Sequence, residues 1–489
     1  MVAVTHDAGK LEHRLAGELQ TLARPLRTLI TRPPIVCDAG QTVREAARLM
    51  HAGGTGSVLV FDGGTRPAGI FTTTDLITAL AQGLEGGAVA YVMTRSVHTL
   101  PGHVLAYEAV LDMLSRRIRH IVVTEEDKVV GVVSERDLFS MQQLGLGEIT
   151  AKVRLANRLE TLEGIAAEIR RLARLLVDQG VAAEQLTFFV SVLNDRLCQR
   201  IVEIERKQYD WEGISWCWLA FGSEGRFEQT FSTDQDNGIV FSAHAKTTPE
   251  AVRGSLLLFA RAVNEALDRC GFPLCKGNIM ASNPKLCLSL NEWKERMQGW
   301  VDTPEPKALL DACICFDFRP LCGDASLAVE LREWLLRRTR ANPAFLRHLA
   351  NNALQSGPPL GRLRDFVTDN APGAPHTINL KLQGVRPFVD AARVYALAYG
   401  VAQTNTAERL RAASAGNGMS GTETEAIVAS FYTIQRQRLR LQAGFEPSAL
   451  DSANRLDPDT LNEFDRRMLK EAFRQAKKLQ RRLAMDCQV

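Results

Sequence analysis

The chain has 489 residues, which is enough for roughly three or four domains. Its formal net charge is only +3, and 45% of its residues are hydrophobic, so it has the composition of a globular protein without the strong positive charge typical of nucleic-acid binding. No apolar run approaches the ~20 residues that span a membrane, the N-terminus has no signal-like apolar core, and the ten cysteines form no Cys-x-x-Cys pair; we therefore expect a cytoplasmic protein with no membrane or nucleic-acid partner.

After a polar arm of 24 residues, which contains one short amphipathic helix pattern, the sequence repeats itself as far as residue 146. In each copy an amphipathic helix pattern precedes two β-prone runs, SVLVF with GIF and then HIVV with GVV. A hydroxyl-x-x-Asp motif closes each copy, from Thr72 to Asp75 and from Ser134 to Asp137. Self-similarity at a fixed offset indicates a duplicated unit.

These repeats resemble a tandem CBS module. The resemblance implies a flat unit that forms homodimers and has a cleft for an adenine nucleotide. Asp75 and Asp137 would face the ribose hydroxyls, and Thr72 and Ser134 would lie near phosphate. The residues leave one alternative open, because Ser or Thr followed three residues later by an acid at a helix start is also a capping arrangement that needs no ligand.

Between residues 147 and 209 apolar side chains recur at three- and four-residue steps, which predicts two helices joined near Gly180. The periodicity resumes after residue 326. There it predicts helices near 327–339, 343–356, 384–400, 404–413, 421–442 and 461–483. Arg386 and Arg393, two turns apart on one predicted helix, could present guanidinium groups to phosphate or to an acidic protein; the alternative is a solvated helix face with local ion pairs.

The most informative stretch is WLAFGSEGRFEQTFSTDQDNGIVF, which starts at Trp218. Asp234 and Asp236 are two residues apart and would point to the same face of a strand. Two such carboxylates repel each other, and a divalent cation with a preference for hard oxygen ligands relieves the repulsion. The glycines upstream let backbone N–H groups approach an anion. The stretch therefore predicts a site for a triphosphate with Mg²⁺ or Mn²⁺, whereas each motif alone is equally typical of a surface turn.

A later apolar run, ACICFDFRP from Ala312, is predicted to be a buried strand. Asp317 is its only acidic residue, and a buried acid is costly unless it is paired or binds a metal. Two interpretations follow, a salt bridge to Arg319 or another arginine and a catalytic role.

With these motifs in place, the middle of the chain resembles the nucleotidyltransferase superfamily with the polymerase-β-type fold. More closely, the chain is similar to bacterial proteins of the DUF294 type, in which a tandem CBS module precedes a nucleotidyltransferase domain and a helical substrate-binding domain. Their relatives are the uridylyltransferases and adenylyltransferases of nitrogen regulation. The resemblance implies a multidomain α/β and α protein with an N-terminal arm (1–24), a CBS module (25–146), a helical hairpin with an α/β transferase domain (147–326) and an all-α substrate-binding domain (327–489).

The resemblance also implies residue roles. Gly222 and Ser223 would hold the phosphates, Asp234 and Asp236 would bind the metal ions and act in catalysis, and Asp317 would be the third carboxylate. The remaining implied roles belong to cationic and polar residues: charge compensation by Arg226 and nucleotide contacts by Lys276 and Asn278. If the helical domain binds the acceptor, we expect Arg386 and Arg393 to take part there. One departure is that no aspartate stands in residues 272–276, where the uridylyltransferases carry one.

These implications give two functional hypotheses. The first is an enzyme that transfers a nucleoside monophosphate from a nucleoside triphosphate to a hydroxyl of an unknown protein or small molecule, regulated by an adenine nucleotide in the CBS module. The second is an adenine-nucleotide-sensing protein whose transferase fold is inactive. The third carboxylate distinguishes them, because a site with only two carboxylates would be weak or inactive.

Overall fold

The computed structural model divides the chain into two compact units, Met1–Ala151 and Lys152–Val489. The residues it describes are 25–30, 32–95, 97–116, 118–126, 128–135, 145–178, 180–209, 211, 213–231, 233–242, 248–361, 366–371, 374–445 and 452–489. The predicted N-terminal arm with its helix, and Asp137 of the second repeat, lie outside these ranges.

The first unit contains the two predicted repeats, each built on a three-stranded sheet. Its elements are β1 (Val36–Asp38), α1 (Val43–Ala52), β2 (Ser57–Phe61), β3 (Gly69–Thr72), α2 (Thr73–Ala81), β4 (Thr99–Pro101), α3 (Ala106–Arg116), β5 (His120–Glu125) and β6 (Lys128–Ser134). In both sheets the first strand pairs in parallel with the second, and the second and third form the predicted antiparallel hairpin. The equivalent topology of the two sheets confirms the duplication.

The second unit begins with helices and a mixed sheet. Helix α4 (Gly145–Leu155) contains the boundary between the two units. The elements that follow it, up to residue 323, are α5 (Leu159–Asp178), α6 (Ala183–Arg206), β7 (Ser215–Ala220), the short α7 (Gly222–Gly225), β8 (Asn237–Ser242), α8 (Pro249–Arg269), β9 (Cys287–Ser289), α9 (Leu290–Asp302), α10 (Pro306–Cys315) and β10 (Arg319–Gly323). The strand order is β10-β7-β8-β9. The central pair, β7 and β8, is antiparallel, and apolar residues of both strands are fully buried.

The rest of the second unit is largely helical, as the periodicity predicts. Its elements are α11 (Ala325–Arg340), α12 (Pro343–Leu354), β11 (Asp369–Ala371), β12 (Ala374–Asn379), a π-helical turn (Leu380–Val385), α13 (Arg386–Tyr399), α14 (Thr406–Asn417), α15 (Gly421–Ala443), β13 (Arg455–Leu456) and α16 (Glu463–Cys487). The six predicted helices are present with ends shifted by up to four residues. A small three-stranded sheet, β11-β12-β13, accompanies them and is not predicted by the sequence.

One secondary-structure prediction is wrong. The apolar run from Ala312 does not form a strand along its length, because its first four residues are the last turn of α10 and the strand begins only at Arg319. A short apolar run has no clear period, so helix and strand cannot be distinguished from it. The consequence is that Asp317 lies at the turn between α10 and β10. Across the described residues, no helix has both the length and the apolar character needed to cross a membrane.

Candidate functional site

The candidate site is built on the connection between β7 and β8. The two strands pair from Ser215 with Ser242 to Ala220 with Asn237, and the amide of Phe221 donates a hydrogen bond to the Asp236 carbonyl at 2.9 Å. After residues 222–235, the chain therefore enters β8 directly beside the end of β7. The GSEGRFE segment and the two aspartates are thus brought to one end of the same strand pair.

Gly222 lies directly against Asp236. Its φ is +54°, and a Cβ at this position would lie 2.8 Å from Asp236 Oδ2. Both the left-handed backbone and the close approach require glycine. The backbone of residue 222 can therefore approach whatever Asp236 binds, as the sequence predicts for a phosphate site.

Asp234 and Asp236 repel each other in the absence of a cation. Burial of the Asp236 carboxyl group and the negative charge of Asp234 raise the pKa of Asp236 to about 7. Cys275 Sγ lies 3.6 Å from Asp236 Oδ1, and burial raises the pKa of this thiol to about 11, so it remains a neutral donor and not a thiolate ligand. The donors available are carboxylate oxygens, which fit Mg²⁺ or Mn²⁺.

Asp317 is not a free third carboxylate, which corrects the catalytic assignment. Its side chain is fully buried and receives hydrogen bonds from Arg226 at 2.7 Å, from Arg393 at 3.0 and 2.7 Å and from Arg409 at 2.6 Å. Burial alone would raise the pKa of Asp317, but the three guanidinium groups hold it well below its ordinary value. This is the salt-bridge alternative that the sequence left open, although its partners do not include Arg319. Among the described residues, no group of three or more His, Cys, Asp or Glu side chains is arranged to hold a metal ion.

Arg226 also differs from its predicted role. Its Nε donates to Glu228 at 2.8 Å and its Nη1 donates to Asp317 at 2.7 Å, and its side chain is only 12% exposed. The guanidinium group is therefore occupied by two carboxylates and does not compensate phosphate charge. Its position fixes the backbone of the loop that carries Gly222 and Ser223.

The same loop is held by the helical region that follows. Thr404 Oγ1 donates to the Gly225 carbonyl at 2.7 Å, Asn405 Nδ2 donates to the Arg226 carbonyl at 3.1 Å, and the Thr406 amide donates to Glu228 Oε1 at 2.7 Å. These residues, together with Arg409 on Asp317, form a clamp at the start of α14. We call this set (Thr404, Asn405 and Thr406 with their partners in 222–228, and Arg409 with Asp317) the α14 clamp.

Arg386 and Arg393 do not present a common face to an acceptor. Arg393 is buried and binds Asp317 as well as Asp390, the latter at 2.6 Å. Arg386 is partly exposed and its Nε donates to Asp390 at 3.1 Å. Since Asp390 lies between them on α13, the pair forms a local ion-pair network, and the substrate-binding prediction for Arg393 is corrected.

Lys276 and Asn278 lie on an exposed segment beside the carboxylate pair. The segment is anchored on both sides of Asp236, because the Gln235 amide donates to the Pro273 carbonyl and the Asn237 amide donates to the Ile279 carbonyl. Asn278 has a positive φ of 56°, which asparagine tolerates well. Their position next to Asp236 is compatible with the predicted nucleotide contacts.

A second cluster of buried charge, absent from the sequence-based predictions, also contacts this loop. Arg319 Nη2 donates to Asp195 Oδ1 at 2.7 Å and to the Glu224 carbonyl at 2.9 Å. Burial and the charge of Asp195 raise the pKa of Glu224 to about 8. Asp195 lies on α6, far away in sequence, so no local motif could have indicated this contact.

In the first unit, a cleft of about 580 Å³ extends between residues of the two repeats. Thr72, Thr73, His120 and Ser134 line it together with Arg119. The volume is within the range of small-molecule sites. The predicted Ser134 therefore lies at a cleft of suitable size, and its partner Asp137 lies outside the described residues.

Asp75 instead forms a capping box at the start of α2. Its Oδ2 accepts hydrogen bonds from the amide and hydroxyl of Thr72 at 2.8 and 2.7 Å, and Oδ1 accepts one from Thr94 at 3.4 Å. This is the structural alternative that the sequence left open for the first repeat.

Comparison with known families divides the chain in the same order. Residues 26–82 and 89–143 match the CBS domain family. Residues 167–307 match the family described as "Putative nucleotidyltransferase DUF294", and residues 343–487 match "Putative nucleotidyltransferase substrate binding domain".

Individual relatives cover much less of the chain. A CBS domain-containing protein of Arabidopsis thaliana, CBSCBSPB2, is 29% identical over 134 residues, which are 27% of this chain and 25% of that protein. The arabinose 5-phosphate isomerase KdsD of Yersinia pestis is 30% identical over 138 residues, 28% of this chain and 40% of its own length. A solved CBS domain protein from Pyrobaculum aerophilum in complex with AMP is 28% identical and has a TM-score of 0.23; the match covers 24% of this chain and 91% of that one. The chain thus spans less than half of each of the two curated relatives.

Proposed function

Because the chain belongs to the family that joins a tandem CBS module to a DUF294 nucleotidyltransferase domain and its substrate-binding domain, we propose that it transfers a nucleoside monophosphate from a nucleoside triphosphate to a hydroxyl group of a protein or small molecule. The observation that carries the proposal is the placement of Gly222, with no room for a Cβ, against Asp236 of the carboxylate pair.

In the proposed reaction the acceptor oxygen attacks the α-phosphorus, the bond to the β-phosphate oxygen breaks, pyrophosphate leaves, and the hydroxyl proton passes to solvent. Asp234 and Asp236 would hold Mg²⁺ or Mn²⁺, which when bound stabilises the attacking and leaving oxygens. Gly222 and Ser223 would contact the phosphates, and Lys276 and Asn278 would contact the nucleotide. Such transfers depend mainly on positioning and electrostatic stabilisation, and the α14 clamp provides the positioning.

The first unit supplies the regulatory part of the proposal. An adenine nucleotide would bind in the cleft lined by Thr72, His120 and Ser134, with Asp137 toward the ribose and homodimers forming through the CBS module. Light scattering after size exclusion would report the dimer as a doubled mass.

One observation favours a second candidate function, an adenine-nucleotide sensor with an inactive transferase fold. Asp317, the expected third carboxylate, has both of its oxygens occupied by guanidinium groups. The two remaining aspartates would then hold a metal without a protein base near the acceptor. Activity measurements therefore decide between the two functions.

The deciding experiment measures pyrophosphate release from each of the four ribonucleoside triphosphates with Mg²⁺ or Mn²⁺ in the presence of cell lysate. We expect release with the unmodified protein and a loss of at least about 100-fold in Asp234→Ala, because the carboxylate pair is broken. Asp268→Asn, an exposed acid on α8, is the matched control and should retain full activity. Equal release by Asp234→Ala would exclude the transferase, and triphosphate binding without any release would favour the sensor.

A further inference from the structure

The two aspartates of the candidate site alternate in sequence with two amides, Gln235 and Asn237. Both amide side chains are buried, each with 2% exposure, whereas Asp234 and Asp236 are only partly buried. Successive side chains of an extended chain point to opposite sides. The carboxylates therefore point to one side of the backbone, and the amides point to the other side, into the protein.

Asn264 of α8 joins the two amides. Its Nδ2 donates to Gln235 Oε1 at 2.7 Å and to Asn237 Oδ1 at 3.0 Å, and its side chain is buried. Gln235 Nε2 in turn donates to the Asn264 carbonyl at 2.9 Å. Buried side-chain networks of this kind rigidify the region around them, so the backbone on both sides of Asp236 is held in one place. We call these three residues the amide network.

The amide network also fixes the segment 272–282, which lies between α8 and β9. The Gln235 side chain donates to the Phe272 carbonyl at 2.8 Å, and the Ala281 amide donates to the Asn237 side chain at 2.8 Å. The two ends of the segment are therefore attached to the residues that alternate with the aspartates, and its middle is held beside the carboxylates.

The fixed segment brings Cys275 to the carboxylate group of Asp236. Cys275 Sγ lies 3.6 Å from Asp236 Oδ1, within reach of the weak S–H donor that a thiol provides. The other oxygen, Oδ2, lies on the Gly222 side, 2.8 Å from the position that a Cβ would take there. Oδ1 is thus engaged by the protein, and Oδ2 faces the backbone that is proposed to hold the phosphates.

We propose that Cys275 is a positioning residue of the metal site, whose thiol donates to Asp236 Oδ1 and keeps Oδ2 available for the divalent cation. Residues that hydrogen-bond a ligating carboxylate fix its orientation, and their loss weakens metal binding by about 10- to 100-fold. Because the amide network holds segment 272–282, the thiol is in place before a cation binds. This inference rests on the proposed function and adds to it a residue that the family comparison does not assign.

Manganese binding tests this role without relying on activity. The electron paramagnetic resonance signal of free Mn²⁺ falls as the ion binds, which gives the Kd of the full chain and of its variants. We expect Cys275→Ala to bind Mn²⁺ about tenfold more weakly, and Cys275→Ser, which keeps a donor on the same carbon, to lose no more than about twofold. Cys487→Ala, which changes another partly buried cysteine at the end of α16, is the matched control and should bind Mn²⁺ as the unmodified protein does.

The infrared S–H stretching band tests the contact itself. Subtracting the spectrum of Cys275→Ala from that of the unmodified protein isolates the band of this thiol. We expect Asp236→Asn, measured against its own counterpart that also carries Cys275→Ala, to move the band to higher frequency, because an amide oxygen is a weaker acceptor than a carboxylate. A band that does not move would show that the thiol makes no hydrogen bond to Asp236 and would overturn the inference.

The failure of the inference and the failure of the proposed function give different results. If Asp234→Ala abolishes Mn²⁺ binding while Cys275→Ala binds as the unmodified protein does, the inference is overturned and the proposed function stands. The same conclusion follows if Cys275→Ser binds as weakly as Cys275→Ala, since the serine keeps a donor. If the unmodified protein binds no Mn²⁺ that Asp234→Ala releases, the proposed function fails and the inference fails with it.

Discussion

Three acidic residues of the candidate site and its surroundings, Asp236, Glu224 and Asp317, lie in different electrostatic environments. Burial and the negative charge of Asp234 raise the pKa of Asp236, and burial and the charge of Asp195 raise the pKa of Glu224. The pKa of Asp317 is instead held low by three arginines, despite the burial of its side chain. In sequence all of them are acids in or near apolar runs. Their chemistry is set by the partner that the fold places beside each one.

Glu224 gives the sharpest residue-scale prediction. Its pKa of about 8 is above that of an unfolded glutamate, so between about pH 4 and 8 the native state keeps a proton that the unfolded state releases, and stability falls as pH rises. Glu224→Gln keeps the shape and removes this cost. We expect the variant to equal the unmodified protein near pH 4 and to be about 3 kcal/mol more stable at pH 7.

Urea unfolding at pH 4, 5.5, 7 and 8.5 measures the difference. Glu250→Gln, an exposed glutamate at the start of α8, serves as the control and should show no pH-dependent gain. A constant difference across the pH series would mean that Glu224 is ionised in the folded protein.

At the scale of elements, the 222–228 loop is held by parts of the chain that are far from it in sequence. The start of α14 donates three hydrogen bonds to it, and Arg319 of β10 donates to the Glu224 carbonyl. The helical region that follows residue 326 therefore contributes to the candidate site through the geometry of this loop. Any change that loosens the α14 clamp should weaken nucleotide binding at a distance from the metal ligands.

Thr404→Val tests the clamp. It removes the hydroxyl that donates to Gly225 at 2.7 Å and keeps the shape of the side chain. We expect a loss of about 1 kcal/mol in unfolding free energy and several-fold weaker binding of Mg²⁺-triphosphate by calorimetry. Thr433→Val, whose hydroxyl donates within its own helix at 2.8 Å, is the matched control; if both variants bind triphosphate equally, the clamp is structural only.

At the scale of the whole molecule, the chain combines a cleft in one unit with a candidate transferase site in the other. If the cleft takes an adenine nucleotide, binding stabilises the folded first unit by mass action. Polar groups from both repeats line this cleft. A bound ligand would offset the free-energy cost of keeping such a cleft open.

Thermal unfolding with AMP, ADP and ATP tests the regulatory site. We expect at least one of them at 100 times its Kd to add about 2.7 kcal/mol of stability, and Asp137→Ala to reduce the shift. Asp62→Ala, an exposed residue of the β2–β3 connection, should leave the shift unchanged. The absence of a shift with all three nucleotides would remove the regulatory proposal.

The sequence by itself determined the elements and the motif that sits between two of them. Local periodicity predicts α13 to α16 and the repeated hairpins because burial of one helix face or one strand face leaves a regular trace along the chain. The proximity of Gly222 to Asp236 was also predictable, since two apolar runs around a glycine-rich turn indicate two paired strands, β7 and β8. Periodicity failed at residues 312–318, where a short apolar run fits a helix end as well as a strand.

Only the tertiary structure decided which charges are free. Asp317 and its arginines are separated by 76 to 92 residues in the chain, and pairing over such distances leaves no local pattern. The same holds for Thr404 and Gly225, 179 residues apart. Sequence identifies groups that are able to bind phosphate or metal, whereas the fold determines which of them are already bound to each other, as Arg226, Arg393 and Asp317 are.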